Sequence, residues 1–413
     1  MSPPYKPALR ETKLEGERGK FKVMEDLVMV REYDEKRDKE RVEEMERHCE
    51  LAEQGKPCLI TCPLGDPLAR IRHVPTRIMM VAECGGGGEI VGVVRGCIKT
   101  VTRGIKVGDF PIYAKLAYVL GLRVSHMHRQ KGVATKLVKR LEEWFKDNGA
   151  EYVYMMTDCS NEASINLFTH KFNYVKFHTP IVLVQPVHAH RKPIASSTVI
   201  VRVSPQLADS MYQQIFSGSK FFPKDIDSVL SSKLHLGTFI CVPKSYLSMW
   251  DTHKGLPPCF AIMSVWNTKE VYQLQLKGVS KLTRACCLGS RVLDAHIPWL
   301  RVPSIPNLFK PFGFYFLYGL HMQGKGCLGL MKNLCNFAHN MAREDMTCGA
   351  VVAEVAQWDP VHAAIPHWKK FSCEDQWCMK KLFKCASNDE SLSAKWTTRP
   401  ESSSVLFADP RDF

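Results

Sequence analysis

Residues 116 to 149 read LAYVLGLRVSHMHRQKGVATKLVKRLEEWFKDNG, and this stretch decides the fold. LAYVLGLRV predicts a buried strand. Leu137, Val138, Leu141, Trp144 and Phe145 then fall on one face of a helix that Asn148 and Gly149 end. Between strand and helix stands Arg129-Gln130-Lys131-Gly132-Val133-Ala134. Backbone N–H groups at a helix start converge on an anion, and the helix dipole adds about half a positive charge there. Gly132 and Ala134 are small enough for the backbone to approach a phosphate, and Arg129 and Lys131 add charge. A glycine-containing turn alone serves equally well as an ordinary tight turn, so the neighbouring elements must carry the argument.

On the amino-terminal side, residues 1–26 lack apolar periodicity and read as a tail. LVMVREY is a strand, and Asp34 opens a helix over EKRDKERVEEMERHCEL with an apolar stripe of Val42, Met45, Cys49 and Leu51. RIMMVAEC and EIVGVVRGCIKTV are strands punctuated by Gly85 to Gly88. After the central helix come the strand EYVYMMT, a short helix NEASINLFTHK opened by Asn161, and strands in YVKFHTP and IVLVQPV. The order is β-α-β-β-β-α-β-α-β, an α/β (α+β) domain with a mixed central sheet flanked by helices, over residues 27–184.

QPVHAHRKPIASST, residues 185–198, reads as a linker, after which the pattern starts again over 199–390. TVIVRVS is a strand, residues 206–233 look helical with a break at Pro223, and TFICVP and FAIMSVWN are strands. GFYFLYGLHMQGKGCLGLMKNLCNFAHNMA repeats strand, glycine turn and helix; CGAVVAEVA follows as a strand, and DPVHAAIPHWKKF stands where the short helix belongs. This predicts a second, diverged copy of the fold, with an unrelated α/β domain as the competing reading and residues 391–413 as a C-terminal tail. In the second copy Gln323-Gly324-Lys325-Gly326-Cys327-Leu328 puts Leu328 where the first has a small residue, so that copy is expected to pack or bind a partner without using the phosphate-bearing ligand of the first. His367 and Trp368 read as a satisfied core pair.

The chain has 413 residues, room for two domains, with 45% hydrophobic and 24% charged residues as in globular proteins. Apolar runs fall short of the roughly 20 residues that span a bilayer, and the opening lacks a signal-peptide core, so the expected site is nuclear or cytoplasmic, not secreted and not membrane-bound. Sixteen cysteines lie scattered without paired C-x-x-C spacing, which favours reduced thiols and no metal. The net charge of +14 favours an anionic partner such as nucleic acid, chromatin or a polyphosphate cofactor, but no Lys/Arg block selects among these, and the oligomeric state stays open.

The hexapeptide 129–134 resembles the pyrophosphate motif of the GNAT N-acetyltransferases, [Gln or Arg]-x-x-Gly-x-[Gly or Ala], and the element order around it is similar to theirs. Leu120 to Val124 resembles the splayed strand that holds the pantetheine arm; Asn161 with Leu167 and Phe168 resembles the later Asn-x-x-Ala-x-x-Leu-Tyr helix. VREYDEKRD, FFPKDIDSVLSSKLHLGTF and IPHWKKFSCEDQWCMKKL extend the likeness over nearly the whole chain to the plant Hookless-type N-acetyltransferases. The resemblance implies acetyl-CoA as cofactor, bound by Leu122, Arg123, Val124, Arg129, Gln130, Lys131, Gly132, Val133, Ala134, Asn161 and Phe168. It also implies a nuclear plant protein of ethylene- and auxin-dependent differential growth, such as apical hook bending, whose substrate is a protein, histone lysine included.

GNAT chemistry is direct attack of a neutral amine on the thioester in one cleft, with proximity and backbone N–H groups supplying much of the rate. Phe168 stands where relatives have a tyrosine that protonates the leaving thiolate, and KLAYVLGLRV holds no carboxylate for a general base. Deprotonating a lysine at pH 7 costs roughly 4 to 5 kcal/mol against about 1 for an α-amine. Tyr118 and Asp158 are the catalytic candidates, with Glu151, Tyr154, His126 and His128 as further polar groups; a core role for the tyrosines and a solvating one for the histidines are the competing readings. Two other functions stay in play: an inactive GNAT-fold interaction module and a small-amine acetyltransferase.

Overall fold

The structure, a computed structural model, describes residues 28–51, 58–85, 88–247, 255–383 and 406–413. The tail expected at 1–26, the glycine pair 86–87 and residues 391–405 of the expected C-terminal tail lie outside the described residues. The strands are β1 (Val28–Glu32), β2 (Cys58–Pro63), β3 (Thr76–Cys84), β4 (Glu89–Val107), β5 (Phe110–Val124), β6 (Tyr152–Asp158), β7 (Val175–His178), β8 (Pro180–Pro186), β9 (Thr198–Val203), β10 (Lys220–Pro223), β11 (His235–Pro243), β12 (Phe260–Asn267), β13 (Tyr272–Lys277), β14 (Gly313–Gln323), β15 (Cys348–Ala356) and β16 (Cys373–Lys381). The helices are α1 (Glu35–Leu51), α2 (Val133–Asp147), α3 (Glu162–Asn166), α4 (Pro205–Phe216), α5 (Ile226–Leu230), α6 (Lys244–Leu247), α7 (Lys281–His296) and α8 (Cys327–Glu344). None of these helices is long and apolar enough to cross a membrane, and the cysteines of the described residues are free.

One mixed sheet runs β1-β3-β4-β5-β6-β16-β8-β15-β14-β12-β11-β9, with β7 and β10 attached at its side. Read inward from either edge the pattern is the same: antiparallel strands, then a parallel pair, β5 with β6 or β14 with β15. The first strand of each parallel pair carries a left-handed glycine, Gly121 (φ 62) in β5 and Gly319 (φ 59) in β14, and the helices after them open on left-handed Gly132 (φ 76) and Gly326 (φ 82). Such conformations are cheap for glycine alone. The second, diverged copy of the fold expected from the sequence is therefore present.

The boundaries at 184 and 199 need correction, because each half lends a strand to the other. β8, expected to close the first half, pairs with β15 from Ala350↔Pro186 to Ala356↔Pro180. β16 of the second half pairs with β6 from Asp375↔Asp158 to Lys381↔Tyr152. The short strand β10 pairs with β4, and β13 with β2. The 206–233 segment is likewise not one broken helix: α4 ends at Phe216, and Phe221 and Phe222 are buried in β10 before α5 begins. The DPVHAAIPHWKKF segment forms a 3-10 turn over Pro360–Ala364.

Helix α2 buries Leu137, Val138, Leu141 and Phe145 against one face of the first half's sheet. It can sit that close because β4 has Gly92 and Gly96 beneath it; a Cβ on Gly96 would stand 2.6 Å from Phe145 Cζ. On the other face Val42 and Met45 of α1 join Tyr118, Tyr154, Phe221 and Trp377. The 185–198 linker is strapped onto α8: Asn340 accepts from Lys192 N at 2.8 Å and donates to Lys192 O at 2.9 Å, and Asn336 donates to Pro193 O at 2.8 Å.

The last eight residues are no free tail. Phe407, Asp409, Arg411 and Asp412 are buried between the halves. Arg411 pairs with Asp225 and Asp409, while Lys99 of β4 pairs with Asp409 and Asp412. Burying these charges is expensive, and the mutual pairing offsets that cost.

Candidate acyl-CoA groove

Strands β5 and β6 are paired from Leu116↔Tyr152 to Val119↔Met155 and then part. The cause is a bulge: β4 residue Val93 faces Arg123 and Arg95 faces Leu120, so Gly121 and Leu122 are accommodated in the extra length, with Gly121 at φ 62. The bulge bends β5 away and leaves Leu122 to Val124 with no strand on the β6 side.

Beyond β5, Ser125 N donates to Val91 O at 2.9 Å, a single turn covers His126 to His128, and Gln130 (φ 61) and Gly132 reverse the chain into α2. Gly132 supplies no side-chain cap, so the first turn of α2 presents bare N–H groups. Opposite, Asn161 caps α3, accepting from Ser164 N at 3.2 Å while its Nδ2 donates to Thr157 Oγ1 at 3.0 Å. A π turn over Leu167–Lys171 follows.

Together these elements enclose a groove of about 870 Å³. Leu122, Arg123 and Val124 form one wall, Arg129, Gln130, Gly132, Val133 and Ala134 the floor, and Asn161, Leu167, His170 and Lys171 the far side. Among the described residues the lining includes arginines, a lysine and histidines but no carboxylate. Bare helix N–H groups, flanking cations and an apolar strand edge suit a polyphosphate with a long thin arm. The residues present therefore fit acetyl-CoA: Arg129, Gly132, Val133 and Ala134 would hold the diphosphate, and Leu122 to Val124 the pantetheine.

Most of the expected cofactor residues meet here; two do not. Phe168 is 1% exposed and packs on Phe172 and Tyr174, its ring 5.0 Å from that of Tyr174. The π turn rotates it into the core and gives the groove Leu167, His170 and Lys171 instead. Lys131, between two left-handed residues, does not line the groove. Asn173, where a glycine commonly ends this helix, adopts φ 58 as an asparagine can.

Of the two catalytic candidates, Tyr118 needs correction. Tyr118 is 3% exposed and stacks on Tyr154 at 4.7 Å, in the core under the α1 face, with burial pushing its phenol well above the usual range. It does not reach the groove and cannot act as a base near neutrality. Asp158 sits exposed at the end of β6, where it accepts from Ser160 N at 2.7 Å, and it too stands outside the groove's lining. The reading missed Cys49 of α1, whose Sγ lies 3.5 Å from Val124 O on the groove wall, and His170 and Lys171. Cys49 showed only as part of a helical stripe.

The second copy's opening between β14 and β15 holds a cavity of about 30 Å³, lined partly by Leu406, Phe407 and Ala408 of the C-terminal segment. That space is too small for a nucleotide. Leu328, expected to obstruct it, is instead 49% exposed, and Gly324 packs its turn against Pro258 and Cys259.

The family profile of the "Acetyltransferase (GNAT) family" matches residues 40–174. The chain is 46% identical to the "Probable N-acetyltransferase HLS1" of Arabidopsis thaliana, across 94% of this chain and 100% of that one. It is 39% identical to the "Acetyl transferase GW6a" of Oryza sativa subsp. japonica, across 95% and 99%. Among solved structures, Saccharomyces cerevisiae N-myristoyltransferase with bound myristoyl-CoA shares the fold at a TM-score of 0.53 and 8% identity, over 86% of this chain and 79% of that one.

Proposed function

This chain belongs to the GNAT acetyltransferases, in the family of the Arabidopsis probable N-acetyltransferase HLS1, and we propose that it moves acetyl from acetyl-CoA to an amine of a protein, histone lysine included. The acyl donor supplies an activated thioester carbonyl. The chain's own part is to hold the diphosphate at the start of α2, to orient the arm along Leu122 to Val124, and to aim backbone N–H groups of that strand at the carbonyl. Such placement accounts for much of the rate in a ternary complex. The observation that carries the reading is the meeting of the bare α2 N-terminus and the splayed β5 edge in one cation-lined groove.

A protein acceptor is favoured over a small amine by the second half, whose strands continue the sheet beyond β6 on the far bank of the groove and would extend the acceptor surface. With Phe168 in the core, no tyrosine stands among the described residues that line the groove to serve the leaving thiolate. A thiol of pKa near 8.5 leaves tolerably without one, so the reading predicts modest rates. The nuclear setting and the role in ethylene- and auxin-dependent differential growth belong to the same proposal.

The test is a thermal-shift titration with acetyl-CoA on the wild type and Gly132→Trp, then mass-spectrometric detection of product on lysine-containing and free-N-terminus peptides. Saturation at 100 times the dissociation constant should add about 2.7 kcal/mol of stability to the wild type and none to the variant. Binding without any acetylated product across the panel would favour the interaction-module reading instead.

A further inference from the structure

We propose that Asp375, lent to the first half by the last strand of the second, is the general base of the transfer, working as a pair with Asp158 on a lysine ammonium that enters from the face opposite the acyl-CoA groove. The inference rests on the function proposed above and names the acceptor class and the base that β5 lacks.

The placement follows from strand register. Asp375 and Asp158 are direct partners across β16 and β6, so their side chains share a face. Alternation along the two strands puts them with Tyr154, Met156 and Trp377, which belong to the core under α1, not to the core under α2. The acyl-CoA groove opens on the α2 side. Asp158 lies three residues past the last β5–β6 pair, Val119↔Met155, and Leu122 lies three residues past it on the other strand. At about 3.3 Å per residue both stand roughly 10 Å into the opening, on its two banks. A thioester held along Leu122 would be exposed through that opening to an amine beside the carboxylate pair.

A second observation marks the same face as awaiting a polar visitor. Glu354 of β15 and Cys373 of β16 both register with Val182 of β8, in the row two residues along the strands from the pair. Glu354 is buried, yet its Oε2 has no hydrogen-bond partner; Trp377 leans on it without closing a hydrogen bond, leaving its Nε1 unpartnered too. Burial and the Asp375 charge favour the neutral form of Glu354, and a buried carboxyl oxygen without a partner is costly, so a water chain leading in from the opening would satisfy it.

The groups facing Asp375 are Asp158 from β6, Cys373 on its own strand, Glu354 from β15 and His178 from β7, with Tyr118 and Asp412 farther off. Burial and the Asp158 charge push the Asp375 carboxyl up to about 6. Above that pH it is ionised and available to accept a proton; below it the base is lost. The lysine ammonium gives one proton to the pair and its freed lone pair forms the C–N bond. The second N–H proton leaves the tetrahedral adduct as the C–S bond breaks, the thiolate takes up a proton, and the pair returns its own to solvent.

The full-length wild type, Asp375→Asn and Asp158→Asn should be compared for acetyl-CoA thermal shift and for kcat/KM on a lysine peptide between pH 5 and 9. Asp375→Asn should keep the thermal shift, lose about 100-fold or more in kcat/KM, and lose the acid limb near pH 6. Asp158→Asn should move that limb to lower pH, since a like charge is removed; if Asp375→Asn fails to fold, this shift decides the matter. An active wild type whose Asp375→Asn variant stays within threefold, or whose acid limb is unmoved by Asp158→Asn, overturns the base assignment alone. Acetylation of α-amines without lysine overturns the acceptor class, and no acetylation by the wild type overturns the function beneath both.

Discussion

Tyr154 in β6 donates a 2.6 Å hydrogen bond to Oδ2 of Asp412, the second-last residue of the chain, while Asp412 Oδ1 accepts from Lys99 in β4. The C-terminal segment thus locks the first half's central strands from the far end of the sequence. Asp412→Ala leaves Lys99 buried with Asp409 alone, 3.1 Å away. Breaking one side of a buried ion pair costs about 3–5 kcal/mol, so urea unfolding of this variant should shift by that order. A shift below about 1 kcal/mol would show the segment to be loosely seated.

Gly121 makes the bulge that opens the groove. Its φ of 62 disfavours any other residue, and a Cβ would stand 2.9 Å from Arg95 Nη1, which pairs with buried Glu46. Gly121→Val should cost about 1–2 kcal/mol of backbone strain and lower acetyl-CoA affinity, because a straightened β5 closes on β6. Isothermal titration would reveal whether affinity and stability fall together; unchanged affinity would separate the bulge from the groove.

Arg129 and Lys171 face each other across the groove from its floor and far side. Each is solvent-accessible, so Arg129→Ala and Lys171→Ala should each weaken acetyl-CoA binding about 3- to 10-fold, the range of a screened charge contact. The loss should shrink as salt is raised from 50 to 500 mM. Lys131→Ala, outside the lining, should change binding less than either.

Burial holds His188 down to about 4 and His339 down to about 3, and His188 N donates to His339 Nε2 at 2.9 Å where the linker meets α8. A histidine whose folded pKa lies below its unfolded value near 6.5 leaves stability untouched above that value. As pH falls from 6.5 toward 4 the unfolded chain binds protons that the folded one refuses, so stability declines. The melting temperature should be flat from pH 7 to 8 and drop steadily below 6.5, and His339→Gln should flatten the drop.

The groove was largely legible because its parts are local. Arg129 to Ala134, the α2 stripe and the Asn161 cap lie within a few tens of residues, and turn geometry with helical periodicity dictates where their N–H groups point. The misplacements have equally local causes: the π turn moved Phe168 inward, and Tyr118 alternates to the other face of its strand. Asp375 escaped notice because it sits in a strand of the other half.

What the amino-acid order determined by itself is the repeated strand, glycine turn and helix, since backbone conformation there follows from neighbouring residues. What only the tertiary structure decided is which strand lies beside which: β16 against β6, β8 against β15, and Asp409 to Asp412 sealed between the halves. Alternation announces a strand and its buried face but is silent about its partner. That choice is made by burial and hydrogen bonding summed over residues more than 160 apart in the chain, as Pro186 and Ala350 or Asp158 and Asp375 are.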